Sequence, residues 1–474
     1  MGKDKDAIMS ALLLPAVVFN VMLLVTDLFA DSTVYEVGAA RMDITPDQSI
    51  RLAGYFARRQ ESDGIAQRLW AKAIAIGNHK SNSAILITVE NCCVPASITE
   101  EVASRIENRA GLPRRRITIC STHTHTGPCL KGALPIMFGE PIPEDHQARI
   151  DSYTKKLTDN LERVAMAALA DSWPGKLAWN QGTVRFACNR RMIKDGKHIG
   201  FGKISSGPVD HALPMLCITD HRDKLRFIIA NYACHCTSLG GDFNKICGDW
   251  AGYAQEYIEN KHSDVIALIT IGCGADADPQ PRTGLEYAKQ HGREVASEVN
   301  RLLKGKLKPI TGQLVCRFER IKLPFDNIPP RKQWEERSKH DDAIGYHARM
   351  QLEKLDRGEA LPTELSYPIQ TWVFGRDLAM VFLAGEVVVD YSLKLKRMFD
   401  ADRLWVTAYA NDVPCYIPSK RILAEGGYEA EHSMIFYDRP TRLAPVVEDN
   451  ILKTVHHLLP DSFQSNRSST PQIK

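Results

Sequence analysis

Net charge, paired cysteine spacing and repetition are all scarce in this 474-residue sequence. Lysine and arginine number 60 against 57 aspartates and glutamates, a formal balance of +3, and no long basic block interrupts the mixture. That removes the electrostatic footprint expected of a nucleic-acid binder. Twelve cysteines are present, yet Cys92-Cys93 and Cys234-x-Cys236 lack the Cys-x-x-Cys pairs of a structural zinc site. Cys120, Cys217, Cys234 and Cys273 sit inside apolar, strand-like runs, where a free thiol behaves as a small hydrophobe. Mostly core thiols are expected, with a few bridges if the chain is exported. There is no internal repeat or low-complexity block. The hydrophobic fraction of 44% and charged fraction of 25% are those of an ordinary globular protein. The length allows one large core or two modest ones.

Export is suggested by residues 1–30. Lys3 and Lys5, offset by Asp4 and Asp6, precede an apolar run from Ala7 to Val25. The pattern reads as a signal peptide cleaved near Ala30, although Leu28 is larger than the usual residue three before a cut. An uncleaved anchor is the alternative, because the run nearly reaches the ~18 apolar residues that favour spanning. Membrane association, if any, is expected through this segment.

What is present in quantity is alternation of strand-like and helix-like stretches. Tyr35 to Pro46, Leu69 to Ile76 and Ser83 to Val89 read as strands, and Ile98 to Ala110 has helical spacing. Arg116 to Cys120 is again strand-like and runs into Ser121-Thr122-His123-Thr124-His125-Thr126-Gly127-Pro128. In an extended segment, residues two apart share a face, so His123 and His125 would face one space. That suits a metal ion or a proton-transfer pair; surface histidines near a turn fit equally well. Further along, Asp145 to Ala170 has helical spacing, and Leu225 to Ala233 is a strand that delivers Cys234-His235-Cys236. Val265 to Ile271 is a buried strand ending in Gly272-Cys273-Gly274-Ala275-Asp276-Ala277-Asp278-Pro279, whose aspartates are placed to cap a helix from Leu285 to Leu303. After a strand from Gly312 to Pro324, Pro329-Pro330 opens a charged, helical segment through Arg357. Trp372 to Leu383 reads as a hairpin turning at Gly375, and it leads to Ala384-Gly385-Glu386. Glu386 follows a run too apolar for a carboxylate without a partner, unless it serves the start of a helix from Tyr391 to Phe399. A last strand, Leu404 to Ala410, ends at Asn411-Asp412-Val413-Pro414-Cys415-Tyr416. The organisation is α/β: mixed sheets flanked by helices.

Several of these segments, in order, resemble the neutral, non-lysosomal ceramidases. Thr122 to Pro128 is similar to that family's Thr-His-Thr-His-Ser-Gly-Pro, in which the first histidine binds the catalytic zinc and the second lies in the active site. The resemblance therefore implies His123 as a ligand and His125 as the proton-transfer or oxyanion-stabilising residue. Asn189-Arg190 resembles a segment whose arginine reaches the active site, which marks Arg190; a solvated arginine pair is the plainer meaning of Arg190-Arg191. Gly248-Asp249-Trp250-Ala251-Gly252-Tyr253 matches the family's stretch downstream of its second zinc-binding histidine, which implies His235. Asp249 would then support that ligand or cap the following helix. Gly385-Glu386 resembles the family's Pro-Gly-Glu and implies Glu386 as a ligand. Asn411 to Ile417 resembles the segment whose later tyrosine completes the zinc site, and implies Tyr416. Gly427-Tyr428-Glu429-Ala430 resembles an Arg-Tyr-Glu-Gly/Ala stretch.

One departure is consequential. The family loop Gly-Asp-x-Ser-Pro-Asn becomes Ala275-Asp276-Ala277-Asp278-Pro279-Gln280, so Asp278 stands in place of a serine with an assigned catalytic role. The resemblance then implies a single catalytic domain over 31–461, with zinc at the strand ends; from Ser462 on, the Ser, Asn, Thr and Pro content leads to the expectation of a disordered tail over 462–474. The family's additional C-terminal β-sandwich is expected to be missing. The implied enzyme is an exported, zinc-dependent hydrolase of a ceramide-like amide, a step of sphingolipid metabolism, using a metal-activated water with Asp278 as general base. An esterase, lactonase or deacylase of a small polar substrate, or a non-catalytic metal-stabilised envelope protein, are the alternatives. The expected partner is a small-molecule or lipid N-acyl substrate; neither a nucleic acid nor a protein partner is indicated.

Overall fold

Runs such as Trp70–Gly77, Ser83–Val89 and Ile266–Ile271 are apolar almost throughout. Only a strand covered on both faces can bury such a run. The computed structural model, which describes residues 34–79 and 82–465, covers them in that way. The chain begins with β1 (Tyr35–Asp43), β2 (Trp70–Gly77), β3 (Ser83–Val89), α1 (Ala96–Ala110), β4 (Ile117–Ser121) and α2 (Glu144–Ala170). It continues through β5 (Trp173–Thr183), β6 (Ala187–Lys194), β7 (Lys197–Ile204), β8 (Ala212–Asp220), β9 (Leu225–Tyr232), α3 (Asp249–Lys261) and β10 (Ile266–Ile271). Next come β11 (Ala277–Pro279), α4 (Leu285–Leu303), β12 (Lys308–Ile310), β13 (Leu314–Pro324), α5 (Arg331–Arg337), α6 (Ala343–Asp356), β14 (Glu364–Phe374) and β15 (Leu378–Leu383). The last elements are β16 (Glu386–Val387), α7 (Val389–Met398), β17 (Leu404–Thr407), β18 (Tyr416–Ile417), α8 (Lys420–Glu425) and α9 (Val447–Leu458).

A nine-stranded mixed sheet runs β10-β9-β8-β5-β1-β2-β3-β4, with β12 added on β5. Its two parallel pairs, β3/β4 and β9/β10, are each joined by a helical crossover, α1 and α3 respectively. A four-stranded sheet, β13-β14-β15-β17, packs against one face of it. The period-two alternation of strand side chains sorts the core into layers. Ile74 and Ile76 of β2, Ile229 of β9, and Met380 and Phe382 of β15 meet between the two sheets, with Trp179, Trp372 and Trp405. Their alternates (Ala71, Ala73, Ala75, Ile228 and Ala230; Ala379, Val381 and Leu383) face away into the helix-bearing core. The α2 and α3 helices cover the large sheet and α9 the small one, giving four layers, α-β-β-α. Mixed sheets flanked by helices is thus the architecture found.

Two sequence expectations change. All twelve cysteines are free and buried, so the core-thiol reading holds for all of them and no bridge forms. The tail expected to loosen from Ser462 instead docks through Phe463, which is fully buried, and the backbone at Gln464 bridges to Phe399. The remainder of that tail, like the leader over 1–30, lies outside the described residues. No helix among the described residues is long and apolar enough to cross a membrane.

Candidate metal centre

The C-terminal ends of β4 and β9 and the short β16/β18 pair converge on one point. Two residues past β4, His123 takes a left-handed backbone, φ 58°, and turns its ring inward. Its Nδ1 bonds the Cys92 carbonyl at 2.8 Å and its ring stacks on Tyr409 at 4.3 Å. His235, three residues past β9, bonds the Gly274 carbonyl through Nδ1 at 3.0 Å, while its own carbonyl accepts the Trp250 indole N–H at 2.8 Å. Because a carbonyl only accepts, each Nδ1 carries the hydrogen, and each Nε2 is left with its lone pair facing the centre. Between them stands Glu386, with Oε2 at 3.1 Å from His123 Nε2 and 3.2 Å from His235 Nε2. This Oε2 has no hydrogen-bond donor, whereas Oε1 accepts from the Tyr437 hydroxyl. Parallel pairing of Glu386 with Tyr416 fixes both residues.

His123, His235 and Glu386 are buried, and their ligand atoms lie close enough together to hold one metal ion. The donor chemistry fits: two imidazoles oriented by backbone carbonyls, and a carboxylate oxygen with nothing to accept, in a site where burial penalises an unpaired charge. Burial alone would raise Glu386, but the two imidazoles outweigh it and hold the carboxyl well below its usual range. Burial works against an imidazolium at His123, yet the charges of Glu386 and Cys92 offset it and push His123 up to about 10. The same negative charge that favours a proton on His123 favours a cation between Glu386 Oε2 and the two Nε2 lone pairs in the neutral tautomer. Cys92, His123 and His125 form a second group of possible ligands. The Cys92 sulfur, however, approaches His123 on the Nδ1 side, at 3.8 Å, where the carbonyl already binds. It therefore does not share the Nε2 centre.

The other candidate residues surround this core. His125 Nε2 lies 3.1 Å from His123 Nε2, and its Nδ1 has no partner. Its ring packs edge-on to Tyr55 at 5.1 Å and across Gly54, where a Cβ would fall 2.4 Å from the ring. Burial, then the charges of His123 and His235, lower His125 well below the usual histidine range, so it is neutral. The Tyr416 hydroxyl is 3.4 Å from His235 Nε2 and accepts from Arg190 Nη2 at 3.1 Å. Arg190 is buried and donates through Nε to Glu429 at 2.9 Å and through Nη1 to Asp278 at 3.3 Å.

Asp278, expected as the base, is engaged by two arginines. Pairing of β11 with β6, Asp278 opposite Cys188, delivers it to the guanidiniums of Arg190 and Arg282. Burial would raise it, but these two arginines outweigh that and lower it. Nor do the loop aspartates cap α4, which starts at Gly284 without a side-chain cap. Asp276 instead accepts from the Val389 N–H at 2.9 Å, opening α7, and is pushed up to about 6 mainly by burial. Asp249 accepts from the backbone of Leu239 and Trp250; its support of His235 runs through the Trp250 indole rather than its own carboxylate. Tyr437 and Tyr409 are neighbours that the sequence did not reveal, and Glu429, in a stretch marked only by resemblance, gains its role from Arg190.

A family model of the neutral/alkaline non-lysosomal ceramidase N-terminal region matches residues 35–270. The neutral ceramidase of Pseudomonas aeruginosa is 24% identical over 238 residues, 49% of this chain and 34% of that protein. The neutral ceramidase of Drosophila melanogaster is 24% identical over 243 residues, 49% of this chain and 33% of that protein. The crystal structure of the Pseudomonas aeruginosa neutral ceramidase superposes with a TM-score of 0.69 at 18% identity, covering 91% of this chain and 76% of that one. Over residues 35–270 this chain belongs to the neutral/alkaline non-lysosomal ceramidase family. The matched segment spans about a third of the curated relatives' length. Within the family-model match lie His123, His125, Arg190 and His235; Asp278, Glu386 and Tyr416 lie beyond it.

Proposed function

We propose that this chain is a zinc-dependent hydrolase of a ceramide-like N-acyl amide. In this reading His123, His235 and Glu386 hold the ion and Tyr416 completes the set. One observation carries it: two imidazoles, each oriented by a backbone carbonyl at Nδ1, turn their Nε2 atoms toward a buried carboxylate oxygen that has no donor. Two histidines, a carboxylate and a phenolic oxygen are donors suited to zinc. When bound, such an ion supplies Lewis acidity and lowers the pKa of water to about 7.

The remaining residues then have distinct tasks. Arg190, buried and donating to the Tyr416 hydroxyl, offers fixed positive charge to oxyanion character that develops on the acyl carbonyl. His125, neutral and with Nδ1 unpartnered, takes a proton as water attacks and returns it to the departing amine. Asp278 takes the place of a counter-charge: with Glu429 it clamps Arg190 from two sides, and the general-base role passes to His125. Export rests on the leader-like pattern of residues 1–30. The test is hydrolysis of N-acyl amides, read by mass spectrometry before and after chelation. Turnover should vanish with the metal and return with zinc. Unchanged turnover by metal-free protein would refute the reading.

A further inference from the structure

Next to the metal centre lies a cleft of about 710 Å³ between the α5/α6 pair and the segment from Tyr428 to Arg442. Its volume is that of a site for a small organic molecule. One wall is shared with the metal centre by alternation. Tyr428 and Phe436 face the cleft. Their neighbours Glu429 and Tyr437 face the other way, toward Arg190 and Glu386. Tyr428 also packs on Tyr416 at 5.5 Å.

The lining is two-sided in character. Ile344, Met434 and Phe436 provide apolar surface, yet the charged groups are mainly cationic. Among the described residues, Arg337 and Arg439 also line it, and neither guanidinium is within ion-pair distance of a carboxylate. Arg337 lies over the ring of Trp334 at 5.1 Å, and Arg439 donates Nε to the Pro414 carbonyl at 2.9 Å. Arg442 is neutralised by Asp326 at 2.9 Å, and Glu431 is the one acid in the lining. His347, only 2% exposed, borders the same space. Its Nε2 makes no hydrogen bond; the nearest carboxylate oxygen, Asp438 Oδ1, is 3.7 Å away and already accepts from Gln351, while Oδ2 takes Lys354. Burial lowers this histidine to about 4, so it is a neutral imidazole able to donate one N–H. Two guanidiniums outside ion-pair distance of any carboxylate and an idle buried imidazole, set among apolar side chains with Glu431 as the one acid, make a receptor for an anionic oxygen group on a short apolar chain.

We propose that this cleft is a substrate subsite and that the amide cleaved at the neighbouring centre carries an anionic end, a carboxylate or a phosphate. The proposal rests on the amide-hydrolase reading above. It sets this chain's substrate apart from a neutral, two-chain lipid, which gives the guanidiniums nothing to bind.

The test uses zinc-loaded protein and N-acyl amides of equal chain length ending in carboxylate, phosphate or methyl. One of the anionic series should be cleaved with kcat/KM at least tenfold above the methyl series, and added salt should shrink that ratio. Whichever anion leads identifies the group. Arg337→Glu should abolish the preference, bringing the kcat/KM of the leading anionic series down to that of the methyl series in the same variant. Equal kcat/KM for all three ends, or a lead for methyl, overturns the proposal while leaving the amidase reading intact. Calorimetry with glutarate and with butyl phosphate separates the two ideas. Binding lost in Arg337→Glu supports the subsite even if no amide is cleaved. Absence of binding by the unaltered protein overturns it.

Discussion

Replacing Glu429 by Gln should destabilise the fold and disable the centre through one change of charge. The carboxylate is fully buried, and its oxygens serve different guanidiniums: Oε1 takes Arg190 Nε at 2.9 Å and Oε2 takes Arg191 Nη1. Glutamine keeps the volume, but it removes the charge and turns an amide NH₂ toward a guanidinium. Removing one partner of a buried ion pair costs about 3–5 kcal/mol. Arg191 retains Glu425 at 3.0 Å and Arg190 retains Asp278 at 3.3 Å, so the lower end, about 3 kcal/mol, applies. The pH dependence has a fixed sign. Burial would raise the Glu429 carboxyl, but Arg190 and Arg191 outweigh it and lower it from the ordinary 4.5. Its stabilisation is therefore complete above about pH 4.5 and is lost as pH falls through the lowered value. The assay is urea unfolding followed by tryptophan fluorescence for both proteins, at pH 7 and on acidification. The gap should be about 3 kcal/mol at pH 7 and should close in acid. A gap below about 0.5 kcal/mol at pH 7, typical of a surface change, would refute the clamp. So would a gap that widens in acid. Turnover should fall as well, because Arg190 loses the anchor that holds it against Tyr416.

Purified protein should contain about one zinc per chain by atomic emission, as one closed set of nitrogen and oxygen donors implies, and His123→Ala or His235→Ala should lose most of it. His125→Ala should keep the metal yet lose at least ~10²-fold in turnover; loss of metal with activity would make His125 a ligand. Asp278→Asn should retain metal and lower kcat through a loosened Arg190. If Asp278 is only a counter-charge, the lower limb of the pH–rate profile should stay in place, and a shift of that limb would restore the base role.

Much of the scaffold was legible because its signals are local. The continuous apolar run of β10 and the helical period of α2 each specify an element without reference to the rest of the chain. Several boundaries moved by only a few residues: α1 starts at Ala96 rather than Ile98, and β17 stops at Thr407 rather than Ala410, whereas β14 starts at Glu364 rather than Trp372 and the charged segment through Arg357 divides into α5 and α6. The two-sheet packing was not legible. Both faces of these strands are apolar, and a strand buried on both faces carries no mark of whether a helix or a second sheet covers it.

At the site, His123, His235, Arg190, Glu386 and Tyr416 were marked by resemblance to family motifs, and Glu386 also by its place after an apolar run, where a carboxylate is costly without a partner. The contacts that hold them were not. Tyr437 reaches Glu386 from 51 positions away and Glu429 reaches Arg190 from 239 positions away; no spacing rule joins such pairs. The failed cap at Asp278 has the same origin. An aspartate shortly before a helical run is a sound cap by local rules, but a three-residue pairing of β11 with β6 points it at two arginines instead. A carboxylate's role depends on which charge the fold delivers to it, and that charge is set by tertiary pairing rather than by sequence neighbours. For this reason Asp278, standing where the family has a serine, is better judged by the guanidiniums it meets than by the residue it replaces.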